Sequence, residues 1–322
     1  MAPDFSNLPS FADLPAKEGA PADSTWGLWG DDDQLGCVNM LTAEGIVEAA
    51  KLVRKGAMFR LDTPINYASP PLFERTPAVH TVIQFEQFLA QDDKLDNYNT
   101  QEGSQWDGLG HVGFPPADAF YNGVKRDQIK DGPDGKLSID GWNNRIAGRG
   151  VVLDVFKYRQ DQGNPVNPGT TDQYSVDDLE GAREAQGVKL NGGDILLVRT
   201  GWVGYYLSQP QSVRDGMGTM DGLTSCGISN DRAVAEWLWD NKVAMVGTDC
   251  PAVETWPWQD FETEALHYRT LALLGMPIGE QFMLDDLAAD CHADGVYDCF
   301  VTSAPLRIVG GVASPPNALA IK

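Results

Sequence analysis

The sequence predicts an α/β fold, and three observations carry that expectation. Short aliphatic runs bounded by glycine or polar residues alternate with helical stretches through the second half of the chain. Apolar residues make up 42% and charged residues 22% of 322 residues, an ordinary globular balance. No stretch of 18 apolar residues occurs, so no membrane-spanning helix is expected.

The elements follow in order. Residues 1–25, rich in Pro, Ala and Ser, are expected to form an arm on the surface or on a neighbouring subunit, ahead of a single domain over 26–322. Residues 1–19, broken by Pro3, Pro9 and Pro15, have neither the basic nor the apolar region of a signal peptide. A helix is expected over 42–54, where Ile46, Val47, Ala50 and Val53 share one face and Gly56 stands at the C-cap position. The turn-rich region 57–142 offers two strands, 59–63 and 81–89. Buried strands are expected at 150–156, 194–200, 242–246 and 304–309, each an aliphatic run. Between them lie a helix over 175–186, started by Ser175 and Asp178 and stopped by Gly187, and a helix over 231–241 capped by Ser229 or Asn230.

Charge and cysteine usage narrow the function. Twenty-four basic against 46 acidic residues leave −22, the wrong sign for nucleic acid or an anionic membrane surface. The five cysteines (Cys37, Cys226, Cys250, Cys291, Cys299) are odd in number and form no CxxC pair, which fits free thiols in a cytoplasmic protein.

The chemistry concentrates in residues 97–111, NYNTQEGSQWDGLGH. In an extended, turning segment, residues at even spacing point to one side. Gln101, Gln105, Asp107 and His111 are therefore able to converge, two amide oxygens, one carboxylate and one imidazole. That set suits one oxygen-preferring divalent cation, Mn²⁺ or Mg²⁺, above Zn²⁺, which stays possible. The alternative is a polar loop whose side chains cap its own backbone. Aromatic residues cluster as Trp26 and Trp29, as Trp256 and Trp258, and at Trp106 and Tyr121. They either pack in the core or wall a pocket for a flat ring. Asp249 is expected to cap a turn before Pro251, Cys250 to be an inert buried thiol, and His80 and His292 to be structural.

Segment 97–111 resembles the H-x-G-T-H-x-D-x-P-x-H signature of the cyclase family of metal-dependent hydrolases, which includes bacterial kynurenine formamidases and isatin hydrolases. Gly103, Asp107 and His111 match, Ser104 stands for Thr, Gln101 and Gln105 replace two histidines, and Leu109 replaces the proline. GRGVVLDV at 148–155, NGGDILLVRTGW at 191–202, VGTDCPAVE at 246–254 and APLRIVGGVASPPNALAI at 304–321 are similar to the same family. The resemblance implies a mixed sheet with barrel-like strands flanked by helices, a swivelling β/β/α-like fold, and a homodimer or homotetramer. It implies that the positions of Gln101, Gln105 and Asp107 hold metal. It also implies that His111 moves a proton or serves as a ligand to a second metal, and that His267 and Glu280 complete the site and aid the proton transfer. The implied activity is hydrolysis of a cyclic amide, lactone or formamide by metal-activated water. Two alternatives remain: a metal-assisted lyase or dehydratase, and a non-catalytic binding protein that lost its metal with the two histidines. A small cyclic or aromatic molecule is the expected ligand.

Overall fold

A computed structural model describes residues 5–258, 260 and 264–322. Nine strands form one mixed sheet curled into a half-barrel and flanked by helices, as expected. From one edge they run Met58–Arg60, Ala318–Ile321, Asp298–Ser303, Ala147–Asp154, Ile195–Arg199, Met245–Thr248, Ile278–Glu280, Gln105–Asp107 and Ala313–Ser314. The four strands from Ala147–Asp154 to Ile278–Glu280 are parallel, and antiparallel pairs extend the sheet on both sides. Ile195, Leu196, Leu197 and Val198 are fully buried, as a parallel strand covered on both faces requires.

Local chemistry sets the helix ends. Thr42 accepts the Gly45 N–H and starts Ala43–Ala50, which stops short of the expected residue 54. Ser175 and Asp178 form a reciprocal capping box at the start of Val176–Ala185, and Gly187 turns out of it at φ +66°. The N-cap of Arg232–Asp240 is Asp231, one or two residues beyond the expected positions, and the Ser229 hydroxyl instead accepts the Asp231 N–H. The expected strand 150–156 overruns, because the Asp154 carboxylate accepts the Lys157 N–H and begins the helix Val155–Asp161. Residues 304–309 are not a strand. The strand there is Asp298–Ser303, paired on both sides, whose alternating burial leaves one of its faces only partly covered.

Residues 5–25 lie on the chain's own body: Phe11 is buried, the Pro9 carbonyl accepts from Trp239 Nε1 and Lys242 Nζ, and Thr25 N–H donates to Leu273 O. A separate exposed hairpin, Val79–Gln84 with Gln91–Asp96, rises between Arg75 and Gln101. Its tip carries Phe85 stacked on Phe88 and a fully exposed Leu89. All five cysteines are free and buried. Among the described residues no helix is long and apolar enough to cross a membrane.

Candidate active site

Two adjacent antiparallel strands build the floor of the site. Their register pairs Glu280 with Gln105 and Ile278 with Asp107, so these side chains share one face. Trp106 and Gly279 pair on the opposite face. There the Trp106 indole packs on Phe282, 4.9 Å between centroids, and donates to Ser303. Gly279 must stay without a side chain, because a Cβ would stand 2.5 Å from Phe282 and 2.6 Å from Trp106.

The third side comes from the π-helical turn Tyr268–Leu274, whose N-cap is His267. Glu254 holds this turn in place. Its carboxylate accepts the backbone N–H of Leu266 at 2.7 Å and of His267 at 3.0 Å, and the imidazole Nδ1 lies 2.8 Å away. With Nδ1 occupied, Nε2 faces Glu280 at 3.3 Å. Asp107, His267 and Glu280 are all buried, and their ligand atoms lie within 4.8 Å of one another.

This trio fits a cation. A metal-binding histidine usually gives its other ring nitrogen to a carboxylate, the relation that Glu254 has to His267. Two buried carboxylates also need positive charge. Burial pushes the Glu280 carboxyl above its ordinary value, and Asp107 adds to this. Burial opposes protonation of His267, but the hydrogen bonds to Glu254 and Glu280 outweigh it and hold the imidazole well above its usual value. The cluster retains protons that a divalent cation would displace.

The two glutamines lie beside the trio but present amide N–H to it. Gln101 Nε2 donates to Asp107 Oδ1 at 2.8 Å, and Gln105 Nε2 donates to Glu280 at 2.7 Å and to Asp107 at 3.2 Å. Of the expected set of Gln101, Gln105 and Asp107, Asp107 converges with His267 and Glu280, while the two amides turn their N–H toward these carboxylates. The reason is electrostatic: beside two carboxylates the amide turns its donor, not its oxygen, inward.

His111 stands on the rim, with Nε2 3.4 Å from Gln101 Nε2 and 3.8 Å from Asp107 Oδ1, its ring 6.5 Å from that of His267. Burial pushes its pKa below the ordinary imidazole value against the pull of Asp107. It lines a cavity of about 260 Å³ together with His267, Glu280, Phe73, Trp256 and Trp258. The Trp258 ring packs 4.8 Å from His267, and Phe73 packs edge-on against Trp256. The four rings expected to bind substrate are elsewhere. Trp106 is core, Tyr121 is buried and donates to Asp33, Trp26 donates to Ala272 O, and Trp29 packs on Trp239. Each is fixed by a partner on a different part of the body, so the aromatic wall is Phe73, Trp256 and Trp258.

Asp249 does not line the site. Its carboxylate accepts Thr200 N–H and O–H and Gly201 N–H, fixing the turn into Trp202–Ser208. Burial raises the Cys250 thiol well above its usual value, so it is no nucleophile. His80 pairs with Asp93 on the exposed hairpin, and His292 with Asp154. Sequence reasoning missed Glu254, Phe73 and Arg75. Glu254 lay in a quoted block with no spacing to single it out, and Arg75 reaches Gln101 and Gln105 only through tertiary folding.

The Cyclase family model matches residues 59–255, more than half of the chain. The chain belongs to the Cyclase family. A solved structure described as a novel cyclase is 33% identical, with a TM-score of 0.82 over 93% of this chain and 99% of its own. Isatin hydrolase A from Labrenzia aggregata bound to benzyl benzoate is 16% identical, with a TM-score of 0.55, covering 84% of this chain and 94% of that one. An isatin hydrolase bound to the product analogue thioisatinate is 14% identical, with a TM-score of 0.54, covering 87% and 98%. At these last two identities the likeness is one of fold. No curated protein matches the chain. This member of the Cyclase family carries Asp107 and His111 and presents amides at 101 and 105.

Proposed function

We propose that this Cyclase-family chain is a hydrolase that opens an amide, lactone or formamide bond of a small aromatic molecule with the aid of one divalent cation. The observation that carries the reading is the convergence of Asp107, His267 and Glu280, backed by Glu254. Asp107, His267 and Glu280 would hold the cation, a donor set of two carboxylates and one imidazole that favours Mn²⁺ or Mg²⁺ and admits Zn²⁺. Its contribution when bound is Lewis acidity toward the carbonyl and a lowered pKa for water. In this reading His267 and Glu280, expected from the resemblance to assist proton transfer, hold the cation instead.

The chain's own residues supply the rest. His111, whose pKa burial pushes below the ordinary imidazole value, accepts the proton of the attacking water and returns it to the leaving nitrogen or oxygen. Phe73, Trp256 and Trp258 give a flat ring an apolar wall and exclude water from one side of the cavity. The isatin hydrolases that share the fold bind aromatic molecules, which supports this substrate class.

The test is metal analysis of protein purified without chelators, beside turnover of aryl formamides and lactones in ¹⁸O-labelled water. Bound divalent cation that is lost in Asp107→Ala, with ¹⁸O entering the carboxyl product, is the expected result. Full metal occupancy in Asp107→Ala overturns the site, and turnover without ¹⁸O entry overturns hydrolysis in favour of elimination.

A further inference from the structure

Arg75 lines the same cavity as His111, His267 and Glu280, and it is the sole lysine or arginine among the described residues that do so. Its guanidinium lies 5.0 Å from the centre of the Phe73 ring. Its hydrogen bonds go to the Gln101 carbonyl and, at 3.5 Å, to Gln105 Oε1, and both leave from Nη1. These acceptors are neutral. Among the described residues no carboxylate lies within ion-pair distance of it, unlike Arg149 with Asp194 and Asp298 or Arg199 with Asp154 and Asp285. Nε and Nη2, the edge of the guanidinium that grips a carboxylate with two parallel hydrogen bonds, make no hydrogen bond among the described residues.

The surroundings sharpen the point. Among the described residues the rest of the cavity has Phe73, Met220, Trp256 and Trp258 on the walls, with Glu280 and the imidazoles of His111 and His267 at the floor and rim. A chain with a net charge of −22 repels anions at long range, so a guanidinium in a pocket with no carboxylate within ion-pair distance among the described residues is a selective feature. Gln105 links it to the floor: its Oε1 turns to Arg75 while its Nε2 donates to Asp107 and Glu280. One amide group therefore links the guanidinium to the carboxylates of Asp107 and Glu280.

We infer that Arg75 selects an aromatic substrate that carries a carboxylate besides its scissile carbonyl, an acylamino- or lactone-bearing benzoate. The inference deepens the hydrolase reading and rests on it for the reaction, but not for the binding of the anion. Arg75 is a specificity residue, holding the part of the substrate that does not react.

The experiment compares 2- and 3-formamidobenzoate with formanilide, the same aryl formamide without the carboxylate, in wild type, Arg75→Gln and Arg75→Lys. Alongside, calorimetry measures the binding of benzoate against benzamide with no turnover involved. The wild type should favour the acids by kcat/KM, chiefly through KM. Arg75→Gln should cut that preference and weaken benzoate by about 10- to 100-fold, the scale of a charge-assisted hydrogen-bond pair. Arg75→Lys should recover part of both, since a point charge replaces the fork. Unchanged preference and unchanged benzoate affinity in a folded Arg75→Gln protein would overturn the inference while leaving hydrolysis standing. Benzoate affinity that falls in Arg75→Gln, with no formamide cleaved under Mn²⁺, Mg²⁺ or Zn²⁺, would sink the hydrolase reading and keep the anion site. Should Arg75→Gln fail to fold, Arg75→Lys decides alone, and benzoate bound as tightly as in wild type counts against the fork.

Discussion

Gln105 and Glu280 are cross-strand partners, and the amide of one donates to the carboxylate of the other at 2.7 Å. The contact puts a neutral donor between Glu280 and Asp107, two buried groups that otherwise face each other with charges of one sign.

That relation makes Gln105→His informative. An imidazole at this position can offer a nitrogen lone pair to a cation beside Asp107, so affinity for Zn²⁺ relative to Mn²⁺ should rise on the order of tenfold. Competition titration of the two ions reads the ratio directly. A ratio equal to that of the wild type would remove position 105 from the ligand sphere.

Glu254 carries a second expectation. It holds both the backbone entering the π-helical turn and the Nδ1 of His267. Glu254→Gln keeps the shape and loses the charge, and should cost 10- to 100-fold in metal affinity or turnover, as outer carboxylates on ligating histidines do. Equilibrium dialysis checks the first and initial rates the second. Wild-type values for both would reduce Glu254 to a backbone clamp.

A third concerns stability and pH away from the site. Lys322 Nζ is buried between Asp290 at 3.0 Å and Asp294 at 2.9 Å, and Lys55 pairs with the same two acids from the surface. Hydrogen bonds from Lys55 and Lys322 hold the Asp290 carboxyl below its usual range. Burial opposes ionisation of Asp294, but the same two lysines outweigh it and hold that carboxyl far lower. Depressed carboxyl values mean stability that is fully present above the unfolded value, about 3.9, and lost as pH falls through the lower folded values. Lys322→Gln should lower the melting temperature by several degrees at pH 7, and the gap to wild type should close below about pH 4. Thermal scans from pH 7 to pH 2 measure it. A gap that persists undiminished at pH 2 would mean that packing of the lysine stem, not its charge, is what matters.

Much of this was legible in the sequence because it is local. The Thr42 cap, the Ser175–Asp178 box and the aliphatic parallel strands all depend on neighbours within a few residues. The strand Gln105–Asp107 obeys the period of two, which brought Gln105 and Asp107 together. The same period should have turned Trp106 the other way, into Phe282 and the core. What escaped detection is what the tertiary fold decides. Arg75 meets Gln101 across a whole hairpin, Glu254 meets His267 around a turn, and the amides at 101 and 105 orient by charges that other segments bring. The run 304–309 had strand composition but lies after Asp298–Ser303, which took the place in the sheet.

The hairpin Val79–Gln84 and Gln91–Asp96 leaves the body after Arg75 and comes back just before Gln101, and those two residues are bonded to each other at its base. It is a stalk rooted beside the chamber that Arg75, His111, His267 and Glu280 line. A fluorophore or tether attached at the bare Leu89 would report on that chamber from outside, and trimming the stalk by cross-strand pairs would leave its roots in register.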